Sequence, residues 1–254
     1  KKFDKMATIF MKKNLSRCFS SRRVELRSDT FTKPTEGMLR AMCAAPVGDD
    51  VFDEDPTVNR LQDEMAARFN KEAGLFFPTS TMSNIAALLS HCDKRGSEII
   101  AGSDSHITLY EGGGCATLGG IHNRQIDEDV DGTINIQKIK SYIRDYDVHQ
   151  PTSKVVCLEN THNVRGGLVL PYQYLNDIGI FCKQNELKLH IDGARIFNAM
   201  VYTGKSLESL NAKADSVSMC LSKGLGCPMG AVLVGDEDFI IRAKFARKAL
   251  GGGM

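Results

Sequence analysis

Along the second half of the chain, short apolar runs alternate with stretches whose apolar residues recur at helical spacing. Runs of strand length lie at 98–101, 154–158, 188–191, 216–221 and 230–234. One amphipathic segment begins at Asp55-Pro56, an acceptor at the cap and a proline in the first turn. It carries Val58, Leu61, Met65 and Phe69 on one face. A second opens at Pro171 with Tyr174, Ile178 and Cys182 aligned, and a third runs from a capping Asp236 through Phe239, Ile240 and Ala243 to Leu250. This alternation predicts an α/β fold, a mostly parallel sheet sandwiched by helices, without internal repeats or a linker between folded units.

Three predicted strands end in polar clusters: Leu158-Glu159-Asn160-Thr161-His162, Ile191-Asp192 and Leu221-Ser222-Lys223. Ligands of open parallel sheets gather beyond the carboxyl ends of the strands, so three such endings place a site. Lys223 lies in Ser222-Lys223-Gly224-Leu225-Gly226, where an apolar run gives way to a loop. Read alone, it is a solvent-facing loop lysine. An acid at one strand end and an amine at another, however, are what pyridoxal phosphate needs. The carboxylate keeps the pyridine nitrogen protonated, and the lysine holds the aldehyde as a Schiff base.

Other segments suit the same group. Small hydroxyl residues from Thr79 to Ser83 precede a helix bearing Ile85, Leu88, Leu89 and Cys92. Hydroxyls, free N–H groups and the positive helix end form an anion cup, although an ordinary Ser/Thr cap reads the same way. Beside Asp192 and Lys223, phosphate becomes the expected anion. His106, a lone histidine that could equally be structural, offers a flat ring to cover the cofactor.

Composition narrows the function by exclusion. The 254 residues are 42% apolar and 25% charged with a net charge of +1, which leaves no basic field for nucleic acid. No apolar run approaches the roughly 20 residues that span a bilayer. The eight cysteines contain no C-x-x-C pair, and free thiols fit better than a disulfide framework or a metal site. G-x-G-x-x-G, G-x-x-x-x-G-K-[ST], H-E-x-x-H and G-x-S-x-G motifs are missing, and with them the nicotinamide, ATP-hydrolysing and serine-hydrolase readings. Residues 1–23 differ from the rest: Lys12, Lys13, Arg17, Arg22 and Arg23 with three serines, and no acid between Met6 and Val24. They read as a leader, either a mitochondrial transit peptide or a disordered segment. The expected location is cytoplasmic or mitochondrial.

Seven segments, in order, resemble the low-specificity L-threonine aldolases: LRSDTFTKPT (26–35), VGDDVFDEDPTVN (47–59), SHITLYEGGG (105–114), LENTHNVRGG (158–167), LHIDGARIFNA (189–199), LSKGLGCPMG (221–230) and RKALGGGM (247–254). The resemblance implies a pyridoxal phosphate-binding large domain of the aspartate aminotransferase fold type over 24–254. Lys223 would form the internal aldimine, Asp192 pair with the pyridine nitrogen, and Arg195 lie near the ring's phenolic edge. Ser80 and Thr81 would take the phosphate, His106 stack on the ring and His162 face the substrate's β-hydroxyl. Ser28 would help hold the substrate carboxylate, and Lys248 reach a phosphate in a neighbouring subunit.

The implied reaction is retro-aldol cleavage of L-threonine or L-allo-threonine to glycine and acetaldehyde through an external aldimine. The implied assembly is a homodimer or homotetramer with shared active sites. Three departures stand out. Thr79-Ser80-Thr81 lacks a glycine common at its centre, Phe52 replaces a common tyrosine, and the family's small C-terminal domain, with its carboxylate-binding arginine, does not follow Met254. Two other readings stay open: a β-eliminating lyase of the same fold, and a cofactor-binding fragment without turnover.

Overall fold

The computed structural model describes residues 24–144, 146–211 and 213–254, so the leader expected over 1–23 lies outside the described residues. The chain divides into two units, 1–31 and 32–254. In the described part of the first, a 3-10 turn spans Asp29–Phe31, and the Ser28 hydroxyl accepts from the Thr30 N–H at 3.2 Å.

The second unit is built on seven strands: β1 (Ala73–Phe77), β2 (Ser97–Gly102), β3 (His122–Ile126), β4 (Thr152–Glu159), β5 (Lys188–Asp192), β6 (Ser216–Cys220) and β7 (Ala231–Gly235). Its helices are α1 (Glu36–Ala44), α2 (Pro56–Phe69), α3 (Ser80–His91), α4 (His106–Leu109), α5 (Gly114–Thr117), α6 (Ile136–Tyr142), α7 (Tyr172–Gln184), α8 (Ile196–Thr203), α9 (Leu207–Asn211) and α10 (Glu237–Ala249). The helix starts follow the expected chemistry. Asp55 accepts from the amides of Thr57 and Val58, Asp236 accepts from that of Phe239, and Pro171 stands at the cap of α7.

The strand order is β1-β7-β6-β5-β4-β2-β3. The pairs β2–β3, β2–β4, β4–β5 and β5–β6 are parallel, while β7 runs antiparallel to both β6 and β1. The sheet is thus mostly parallel, as expected, with one reversed strand. Its reversal follows from the short 221–230 connection, because a parallel neighbour needs a crossover of a dozen residues or more.

Alternation along the strands divides the core. One face presents Ile100, Val156, Leu158, Leu189, Ile191, Val217, Met219 and Val232 to a cluster that includes Met65 and Phe69 of α2 and Leu175 and Ile178 of α7. The opposite face holds two separate apolar clusters. One joins Leu75, Phe77 and Leu233 to Phe239 and Ala243 of α10, and the other joins Ile99, Ala101, Val155 and Cys157 to Leu88 and Ile107. Between them β5 and β6 turn polar side chains toward α3, with His190 paired in register with Ser216 and Asp192 with Ser218. All four are buried. A polar seam therefore runs under α3 and ends at the carboxyl end of β5.

Candidate active site

Asp192, the last residue of β5, is 2% exposed. Its Oδ1 accepts from the Ala194 N–H at 3.1 Å and its Oδ2 from Asn84 Nδ2 at 2.9 Å. The same Asn84 Nδ2 lies 2.8 Å from Glu111 Oε1. One amide thus donates to two carboxylates. His106 completes the group, with Nδ1 at 3.0 Å from Glu111 Oε1 and 4.0 Å from Asp192 Oδ2. Its backbone N–H donates to Glu159 Oε2 at 2.7 Å, and Glu159 is paired in register with Asp192 on the adjacent strand.

Charge state follows from this crowding. The Glu111 carboxylate holds His106 above its ordinary value; burial and the Lys223 charge oppose the shift, and Asp192 adds to it. Burial pushes Glu111 up, and so does Asp192, while bonds from His106 and Asn84 pull it back. Burial and then the Asp192 charge raise Glu159 in the same way. Glu111 Oε2 is buried without a hydrogen-bond partner. The pocket is acid-rich, and a cationic ring is a group it stabilises.

Lys223 is half-buried in the β6–β7 connection. Its carbonyl accepts from Thr32 Oγ1 at 2.6 Å and from the Gly226 N–H at 2.9 Å, which pins the loop on both sides.

Ser80 and Thr81 form the first turn of α3, behind a Thr79 cap that accepts from the Met82 N–H. By position, their own N–H groups have no carbonyl within the helix. Ser80, standing where the family commonly has glycine, turns its hydroxyl to 3.4 Å from that of Ser218. The serine fits. Arg195 precedes α8 and lines a groove of about 550 Å³ with Thr161, Leu168, Asn198 and Tyr202. Lys248 sits in the last turn of α10 and is exposed.

His162 is placed differently from an open substrate-facing ring. It is 1% exposed, with Nε2 at 3.1 Å from Glu128 Oε1 and Nδ1 without a partner. The ring packs on Gly132, whose φ is +82°; a Cβ there would stand 3.2 Å from that of His162. Burial pushes the Glu128 carboxyl up, but hydrogen bonds from His162 and the Asp104 amide outweigh it and hold the group below its usual range.

Asn84, Glu111, Glu128 and Glu159 are site residues that the sequence reading did not single out. A signal existed for some of them. Glu159 heads a polar strand end, and the alternating polar positions of His190-Ile191-Asp192 and Ser216-Val217-Ser218 announce a polar stripe on one face of adjacent strands.

Fold and site together define an α/β domain with a cluster of buried acids and a histidine at the carboxyl end of β5 beside the first turns of a helix. The family model described as "Beta-eliminating lyase" matches residues 25–254, and the chain belongs to that family. It is 52% identical over 231 residues to the low specificity L-threonine aldolase of Escherichia coli O157:H7, covering 91% of this chain and 68% of that one. It is also 52% identical over 235 residues to the probable low-specificity L-threonine aldolase 2 of Arabidopsis thaliana, covering 92% and 66%. Among solved structures, a putative L-allo-threonine aldolase from Listeria monocytogenes EGD-E superposes with a TM-score of 0.73 at 25% identity, covering 88% of this chain and 62% of that one. The chain thus spans about two thirds of the length of the relatives it matches.

Proposed function

We propose that the protein is a pyridoxal phosphate-dependent lyase that cleaves L-threonine and L-allo-threonine to glycine and acetaldehyde. The observation that carries this reading is the buried cluster of Asp192, Asn84, Glu111 and His106 at the carboxyl end of β5, with Lys223 in the β6–β7 connection of the same sheet. The residues fit the cofactor: a buried carboxylate for a pyridinium, a half-buried amine, and first-turn amides for a phosphate.

Lys223 Nζ is the covalent anchor, and Ser80 and Thr81 hold the phosphate with their hydroxyls and N–H groups. Asp192 would accept from the pyridine nitrogen, its charge supported by Asn84 Nδ2 and the Ala194 N–H. His106 would cover the ring, and Arg195 would serve its phenolic edge. Bound pyridoxal phosphate supplies the sink for the electron pair released from the Cα–Cβ bond. The proton of the β-hydroxyl is taken at His162 Nδ1, the nitrogen left without a partner, while Glu128 keeps the other nitrogen in its N–H form. Because that ring is buried, this reading requires the turn at 160–168 to open before the ring meets substrate. Ser28 holds the substrate carboxylate in this reading by resemblance alone. Self-association bringing Lys248 to a neighbouring phosphate finds support in the exposed Ile241 and Phe245 on the same helix.

Borohydride treatment of the full-length protein with cofactor, followed by peptide mapping, tests the anchor. The cofactor mass is expected on Lys223, and a mass on another lysine overturns the assignment. β-Elimination, the activity in the matched family's description, is the competing reading. Pyruvate from serine without acetaldehyde from threonine would establish it instead.

A further inference from the structure

The seam beneath α3 contains a series of hydrogen bonds whose hydrogens can be placed by chemistry alone. Asn84 is fully buried, and its Nδ2 faces Glu111 Oε1 and Asp192 Oδ2, two acceptors. Both of its N–H bonds are therefore spent, and Oδ1 must accept from His190 Nε2, 3.2 Å away. Burial drops His190 to about 4, so its ring is neutral and Nδ1 is an acceptor. The Ser216 hydroxyl, 2.8 Å from that Nδ1, donates to it and in turn accepts from His91 Nε2 at 2.7 Å. Burial also keeps His91 far below its ordinary value, and its ring stacks on Phe239 at 4.3 Å. Every donor in the series points toward the acids.

We propose that Asn84 is a positioning residue that clamps the Asp192 and Glu111 carboxylates side by side, with His190, Ser216 and His91 fixing which way its amide faces. The consequence rests on the reading of Asp192 as the partner of a pyridinium. Two like charges sharing a pocket repel, and the amide between them is what lets Asp192 keep its orientation toward the ligand. A reversed amide would present oxygen to both carboxylates and push them apart. Ser216 guards against this. Without its hydroxyl, His190 can carry its proton on Nδ1, and the lone pair then left on Nε2 would favour the reversed amide.

The charged and titratable groups around the clamp are Glu111 and His106 from the α4 region, Glu159 and Cys157 from β4, His190 from β5, and Lys223. Nitrogen-resolved NMR of the histidine rings in the cofactor-free, full-length protein reads the tautomers directly. The expected result is His190 protonated on Nε2, changing to Nδ1 in Ser216→Ala. Cofactor affinity, measured by absorbance titration, should fall roughly tenfold to a hundredfold in Asn84→Ala, the scale of a lost hydrogen bond to a charged group. Ser216→Ala should show a smaller loss. The acid limb of the activity profile should also move toward higher pH in Asn84→Ala, because removing the donor raises Glu111 further.

His190 protonated on Nδ1 in the parent protein overturns the proposal. So does unchanged cofactor affinity in a folded Asn84→Ala. If Asn84→Ala does not fold, Ser216→Ala decides: an unchanged tautomer with parental affinity sinks the idea. The tautomer and affinity readouts need no threonine cleavage, so a failure of the aldolase reading would appear separately, as an absence of acetaldehyde.

Discussion

Replacing Glu111 with glutamine should change how stability depends on pH more than it changes stability itself. Glu111→Gln keeps an oxygen for Asn84 and for His106 Nδ1 and removes the charge. In the parent, His106 gains a partner on folding, and the Glu111 carboxylate holds its folded pKa above the ordinary imidazole value of about 6.5. The contribution is fully present below that value and is lost as pH rises through the raised folded one. Glu111 is raised too, so its burial costs most once it ionises without a cationic neighbour. The Glu111 cost grows as pH climbs from about 4.5 through its raised value, and the His106 contribution falls as pH climbs from about 6.5 through its own, so both make the parent less stable with rising pH.

At 3.0 Å the raw attraction is about 5 kcal/mol with an effective dielectric of about 20. Desolvation, and the Asp192 charge that stays 4.0 Å from the ring, leave a net of about 1–2 kcal/mol, in keeping with hydrogen bonds to charged groups. In a domain of this size that corresponds to about 2–4 °C of melting temperature per kcal/mol. Any unsatisfied amide hydrogen of the new glutamine adds an offset that does not vary with pH. Urea unfolding of the cofactor-free protein at a series of pH values separates slope from offset. The variant should show the flatter dependence, losing to the parent near pH 6 and closing the gap or overtaking it by pH 8. Parallel curves would refute the coupling of His106 to Glu111.

Asp192→Asn should lower kcat by about two to three orders of magnitude, the cost of removing one group that stabilises developing charge; a loss of only about tenfold, measured in an acetaldehyde-coupled assay, would make Asp192 merely structural. His162→Phe should depress threonine cleavage far more than cofactor affinity, whereas His106→Ala should weaken both. Equal effects on affinity, read by absorbance titration, would contradict that division. Gly132→Ala should cost about 1–3 kcal/mol, since it combines a positive φ with a Cβ pressed against His162; an unfolding midpoint equal to the parent's would mean that the turn relaxes freely.

Much of this arrangement was legible in the amino-acid sequence, and the omissions have physical reasons. β4 and β7 announce themselves because strands buried on both faces are nearly continuous apolar runs, and β5 and β6 because apolar residues still recur at every second position. β3 does not, because His122-Asn123-Arg124-Gln125-Ile126 is an edge strand with little burial to demand apolar residues. β1 lies just ahead of Pro78 and was absorbed into the entry to α3. Lys223 and Asp192 could be found because a charge at the end of an apolar run contradicts its surroundings. Asn84 could not: inside an amphipathic helix a single asparagine reads as solvent-facing, and only the sheet across from it reveals the carboxylates it touches. His162 shows the converse, since sequence assigned its neighbourhood but not the degree to which Gly132 and Glu128 enclose it.

The pairing of β1 with β7 has a consequence for how the molecule is made. Among the described residues β1 is the first strand in sequence, yet its neighbour in the sheet is β7, the last of the seven, with Ala73 opposite Gly235. At about 5–20 residues per second, a ribosome leaves roughly ten to thirty seconds between the emergence of the two. For that interval Phe76 and Phe77 have a backbone without a ladder, an invitation to pair with another nascent chain. The five parallel strands β2 to β6 can assemble earlier, but the half of the sheet that carries the β6–β7 loop and its lysine closes only when β7 arrives. Chaperone dependence and aggregation during rapid overexpression should therefore track the delay before β7 is translated, and a slower supply of nascent chains should raise soluble yield without any change to the folded protein.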